Sequence, residues 1–256
     1  MVDWLNKILP KVLPTKWIIP VAMGTWAVWT WSKNFEETRQ QERTMMAALY
    51  VNPFLAACED LQSRIYNLLE HRGIRTIGAR YSDGSYAEEI VYLIVRYFGW
   101  YAAVCRYGPY TQDPVVIRCG EGVRSAFATS RFRESVGPFN FFTAKQRAFG
   151  KMVMRRIEGQ YGVELDTITF YEFKNRLAFP PFSNSQSLQQ SIEALRNVED
   201  FPGLPTLAGR ERLRNAQNHL VNLLNYVEAR EGFSLFAGKR KKCSRLGRPE
   251  TAVGPR

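Results

Sequence analysis

The sequence predicts an all-α protein: an N-terminal single transmembrane helix followed by an irregular multi-helix bundle. Three observations predict it. The run Trp17 to Ser32 carries no charge and holds four of the chain's six tryptophans. From there to about residue 237, apolar residues recur at three- and four-residue spacing, the period of one helix face. Sustained period-two alternation and an Asn-Gly hairpin turn are both missing, so strands should be scarce.

With 256 residues, 45% hydrophobic and 23% charged, the chain has the composition of a folded protein with a real core. Its formal charge of +11 draws it to anionic partners: lipid headgroups, nucleic acid or an acidic protein. Cys58, Cys105, Cys119 and Cys243 lie far apart and pair with neither histidine in a ligand pattern, so they read as reduced thiols, most of them packed. No metal site and no cofactor is expected from that spacing.

Residues 1–16 form a basic leader, with Lys7, Lys11 and Lys16. Residues 17–32 form the expected membrane helix, its anchors being Trp17, Trp26, Trp29 and Trp31, since tryptophan favours the headgroup boundary. The run spans only about 24 Å against a hydrocarbon core of about 30 Å, so Lys16 and Lys33 would have to snorkel. A buried or interfacial helix and a cleaved signal are the competing readings; bulky Trp-Thr-Trp at the exit disfavours cleavage. The flanking cations balance, while unpaired cysteines favour a cytoplasmic side for the large domain.

Residues 33–52 read as a helical stalk, and 53–237 as an all-α domain. Asn52-Pro53 marks a helix start, after which Phe54, Cys58, Leu61, Ile65, Leu68 and Leu69 share a face. Ser85 and Glu88 form a capping-box pattern before "AEEIVYLIVRYFGWYAAVCRYG", apolar on nearly every side. Arg96 at its middle argues for a central core helix over a second span. Asp113-Pro114 opens another helix. Thr143 with Gln146 should cap "AKQRAFGKMVMRRIEGQYG", and Thr169 with Glu172 should cap "FYEFKNRLAF". A helix in "SQSLQQSIEALRNVED" follows, then one with Leu213, Ala216, Leu220, Leu223, Leu224 and Val227 on one stripe. Residues 238–256 read as a disordered basic tail.

Two basic concentrations are the candidate anionic-ligand sites. One is Arg118, Arg124, Arg131, Arg133, Lys145, Arg147, Lys151, Arg155 and Arg156, interleaved with phenylalanines; the other is Lys239, Arg240, Lys241 and Lys242. The bland alternatives are cations coating outer helix faces around core phenylalanines, and a solvated tail. Glu164, Asp166 and Glu172 read as a helix-capping acidic group before they read as an acid–base pair. No hydrolase, zinc-protease, dinucleotide or P-loop motif occurs, and His71 and His219 have no local partner, so no catalytic residue is named.

These features favour a membrane-anchored binding or scaffold protein that engages a partner protein or anionic lipid. The alternatives are a nucleic-acid-binding protein using the Arg118–Arg156 region, which is less favoured, and an enzyme whose site is assembled from distant residues.

Overall fold

Proline and glycine punctuate a chain that is otherwise mostly helical, and a single small two-stranded sheet interrupts the helices among the described residues. The computed structural model describes residues 15–70, 85–108, 113–128, 139–196, 207–231 and 240–243, with backbone only for 15–25 and 207–209. The chain divides into two units, one ending at Met46 and the other beginning at Ala47.

The first unit is helix α1, Thr15–Met46, which takes in the whole uncharged run and the charged stretch after it. Among the described residues no helix is long and apolar enough to cross a membrane, which corrects the span expected over 17–32. The reason is compositional. Lacking charge is not the same as being apolar: Gly24, Thr25, Thr30, Ser32 and four indole N–H groups dilute the Ile, Val, Ala and Met content. Trp26, Trp29 and Trp31 are 66%, 57% and 68% exposed. Lys33 lies 4.6 Å over the Trp29 ring, and Trp31 stacks on Phe35.

The second unit opens with a π-helical turn, Ala47–Val51, that runs into α2, Asn52–Glu70. A fresh start at Asn52-Pro53 was expected, yet the helical path continues. Pro53 has no N–H and its ring crowds the carbonyl four residues back, and a widened π turn accommodates both defects. The predicted stripe is buried throughout, from Phe54 to Leu69.

Helix α3, Ser85–Tyr107, is central: fifteen of its twenty-three residues are buried, among them Tyr97, Trp100 and Val104. It packs against α2, and also against α5, Thr143–Val153, α6, Phe170–Arg176, and α7, Gln186–Arg196. Arg96, the charge that argued against a second span, reaches Asp60 of α2 at 2.5 Å. Buried Glu88, expected in a capping box, pairs with Arg196 of α7 and lies 3.8 Å from Lys174 of α6. Helix α3 meets α5 backbone to backbone. A Cβ on Gly150 would stand 2.7 Å from the Gly99 nitrogen, so only glycine lets the two axes approach this closely.

Asp113 caps α4, Pro114–Ala128, its Oδ1 accepting the N–H of Val115 at 2.9 Å and of Val116 at 3.0 Å. Helix α8, Leu207–Glu231, lays its predicted stripe against α4 and α2. Phe98, Phe127, Phe141 and Phe149 make an edge-to-face cluster with centroids 5.8–6.3 Å apart. Each such buried ring contributes about 1.5–3 kcal/mol through its removal from water.

The helix expected from Ala144 to Gly162 ends at Val153. Strands β1, Met154–Gly159, and β2, Gly162–Thr167, then form an antiparallel hairpin in which Gly159 pairs with Gly162. Gly162 takes φ +94° directly after the turn residues Gln160 and Tyr161, a conformation that a side chain disfavours.

Candidate functional site

A cleft of about 580 Å³ opens where α3, α4 and α5 meet, and its charged lining is Arg106, Glu121, Arg124 and Arg147. These come from three helices by helical spacing. Phe98, Tyr101 with Ala102, and Cys105 with Arg106 fall on one face of α3. Glu121 and Arg124 are one turn apart on α4, and Gln146 and Arg147 are adjacent on α5.

Arg124 is the fixed element. Its Nη1 donates to Glu121 Oε1 at 2.6 Å and its Nε donates to Gln146 Oε1 at 3.0 Å. Gln146 is itself buried and held, its amide donating to the carbonyls of Arg124 at 2.9 Å and Phe141 at 2.8 Å. The guanidinium also lies 5.7 Å over the Tyr101 ring. One atom is left over: Arg124 Nη2 is buried with no hydrogen-bond acceptor among the described residues. Leaving such a donor unsatisfied costs about 1–3 kcal/mol, more for a charged group. Arg106 and Arg147, by contrast, are exposed at the rim.

The remaining polar groups are neutral. Burial pushes the Tyr101 phenol up, with the Cys105 thiol and the Glu121 carboxylate adding to the effect. Burial also pushes the Cys105 thiol up, against a hydrogen bond from Tyr101 that lowers it. Neither is an activated nucleophile, because reactivity follows the ionised form. The arrangement thus offers guanidinium cations at the cleft and no activated nucleophile.

Of the basic residues singled out in the sequence, Arg124 and Arg147 line this cleft. Arg118, Lys151 and Arg156 are exposed, and Arg131, Arg133 and Lys239 lie outside the described residues. Lys145 donates to Ser187 Oγ and sits 5.5 Å over the Phe142 ring. Arg155 is spent on the acidic group, bridging Glu172 at 3.0 Å and Asp166 at 3.1 Å. The interleaved phenylalanines divide: Phe139, Phe141 and Phe149 are core, and Phe142 is exposed. The side chain of Trp17 is outside the described set, as is His71.

In the basic tail, Arg240 is a structural cation, with its side chain only 2% exposed and Glu59 and Glu228 as its partners. Lys241 and Lys242 are exposed, while Cys243 is buried. The segment 240–243 is thus packed, not a free basic tail; 244–256 lies outside the described residues. Among the described residues no group of three or more His, Cys, Asp or Glu side chains is placed to hold a metal ion.

Sequence reading missed Arg106, Tyr101 and Cys105, because they sit in a helix that reads as core on every side. Their i, i+4 and i+5 spacing placed them together, but only the neighbours across the cleft show that this face is open. Comparisons with protein-family models, curated proteins and solved structures give no match.

Proposed function

We propose that this chain is a helical binding module that works at a membrane surface and engages an anionic group on a lipid or a partner protein. The cleft carries the reading: among the described residues three guanidinium groups, Arg106, Arg124 and Arg147, line one space against a single carboxylate. Guanidinium forks match phosphate and carboxylate oxygens in geometry and stay charged at any physiological pH.

The membrane half rests on α1. Its exposed Trp26, Trp29 and Trp31 present half-polar rings suited to the headgroup boundary, with Lys33 and Arg39 alongside to meet anionic headgroups. Seating in the interface, one of the readings the sequence left open, needs less apolar length than crossing it.

Alkaline extraction and vesicle flotation test this together, using the full chain and a version lacking residues 1–32. An interfacial protein is released by alkali yet floats with anionic vesicles, losing flotation in the truncation and at high salt. Retention of the full chain in the alkali pellet restores a spanning helix. Failure to float with any vesicle removes the membrane from the account.

A further inference from the structure

We propose that the cleft between α3, α4 and α5 is a discrete site for a phosphate monoester carried on an apolar or aromatic group; this rests on the anion-binding reading and narrows it to a ligand class. Charge selects the head. Among the described residues, three guanidinium cations against one carboxylate leave an excess of two positive charges in the lining. A phosphate monoester brings about −1.5 to −2 at pH 7, whereas a carboxylate brings only one negative charge.

Arg124 supplies the fixed donor. Glu121 and Gln146 hold its Nη1 and Nε, and the third nitrogen, Nη2, is buried with no acceptor among the described residues. A small turn of the guanidinium toward the cleft would let a phosphate oxygen accept from Nη2 through a charge-assisted bond. Arg106 and Arg147 are exposed at the rim, where their long side chains would close over the remaining oxygens.

The walls select the carrier. Phe98, the Tyr101 ring and Ala102 give the cleft an apolar side, and neutral Cys105 adds no charge. At about 580 Å³ the space exceeds what a bare phosphate fills and falls in the range of small-ligand sites. A phosphate alone would leave this wall wet, so inorganic phosphate should bind more weakly than an ester whose carrier covers it.

The chemistry is shared by a lipid phosphate and a free organic phosphate, and the probes separate them. The full chain is titrated by calorimetry with monomeric dihexanoyl phosphatidic acid, phenyl phosphate, inorganic phosphate and dihexanoyl phosphatidylcholine. At least one of the two monoesters should bind one to one, about tenfold or more tighter than inorganic phosphate, with phosphatidylcholine silent. The tighter monoester names the source. Arg147→Gln and Arg106→Gln, both at exposed positions, should each weaken binding about tenfold, the loss of one charge-assisted contact. Ala102→Trp keeps every charge, fills the cleft from an exposed helix position, and should abolish it.

Monoester binding undiminished by Ala102→Trp, or inorganic phosphate as tight as both monoesters, overturns the assignment. So does silence from both monoesters. If the monoesters fail while the Ala102→Trp protein still floats with anionic vesicles, the membrane half, which rests on α1, survives and the cleft site falls. If flotation fails as well, both fall.

Discussion

Arg240 grips Glu228 by both arms of its guanidinium, Nη1 to Oε2 at 2.6 Å and Nη2 to Oε1 at 2.7 Å. Its Nε reaches Glu59 of α2 at 2.5 Å, so one cation ties the segment 240–243 to two helices. The hydrogen bond to Glu228 is the main cause that raises the Arg240 pKa above its ordinary value, burial opposing it. Gln217 completes the attachment by accepting the Cys243 N–H at 3.0 Å and donating to the Lys241 carbonyl at 2.8 Å.

Arg240→Met should therefore behave as a core substitution although it falls in a basic stretch. It strips the partner from two partly buried carboxylates, a change that costs about 3–5 kcal/mol when the site is dry and less here, because Glu59 is 20% exposed. Urea unfolding should show a loss of about 2–3 kcal/mol. Cys243 gives a second readout. Burial, with Glu70 adding to it, pushes its thiol up to about 12. Freed from the strap, that thiol should label faster with a disulfide reagent. A stability change within about 0.5 kcal/mol, the level of ordinary surface changes, would show that the fork is ornamental.

His219 predicts acid sensitivity. It is half-buried on α8, and burial first, then the Lys242 charge, hold its pKa below the ordinary value. With the folded pKa depressed, the stabilisation is complete above the unfolded value of about 6.5 and is lost as pH falls toward the folded pKa. Equilibrium unfolding between about pH 7 and about pH 5 should show falling stability, and His219→Gln should flatten that slope. Equal slopes in the two proteins would rule out this histidine as the source.

What the sequence made legible was local. The buried stripes of α2 and α8 followed from their period, because a helix face repeats every three or four residues whatever packs against it. The helix start at Asp113-Pro114 was legible for the same reason; the N–H groups that Asp113 accepts lie within three residues. The β1–β2 hairpin was not. Its strands are only partly buried, in patterns that do not alternate cleanly, so the period-two signal never formed. The cleft was half legible. Arg124 and Arg147 stood out as charge, whereas Arg106 and Tyr101 needed the crossing of α3 with α4 and α5 before the face they share had any meaning.

Gly150 tests that crossing by the sign of its effect. Glycine to alanine inside an exposed helix stabilises by about 1 kcal/mol. Here the added carbon would meet backbone, the Gly99 nitrogen at 2.7 Å and the Phe98 carbonyl carbon at 2.9 Å. Backbone cannot swing aside as a side chain can, so Gly150→Ala should destabilise by about 1–3 kcal/mol, the usual penalty for overpacking. Thermal unfolding decides it: a raised Tm would mean that α3 and α5 are further apart than this geometry holds.

Two threonines carry the same local signature and should respond in opposite ways. Thr169 and Glu172 form a full capping box, the Thr169 hydroxyl accepting the Glu172 N–H at 3.2 Å and Glu172 Oε2 accepting the Thr169 N–H at 2.8 Å. That backbone bond is the first cause holding the Glu172 carboxyl below its ordinary range. Thr143 and Gln146 match the pattern, yet α5 begins after Phe142 with no side-chain cap, because Gln146 is buried and bonded to Arg124 and Phe141. Tertiary contacts outcompeted the local bond. Thr169→Ala should cost about 1 kcal/mol, the ordinary worth of an N-cap. Thr143→Ala, at an exposed position in the first turn, should stay within about 0.5 kcal/mol, and alanine's helix preference could make it slightly favourable. Measured side by side by chemical denaturation, equal losses would mean that Thr143 caps after all and that Gln146 turns away from the cleft. That would also free Arg124 from the bond that fixes it.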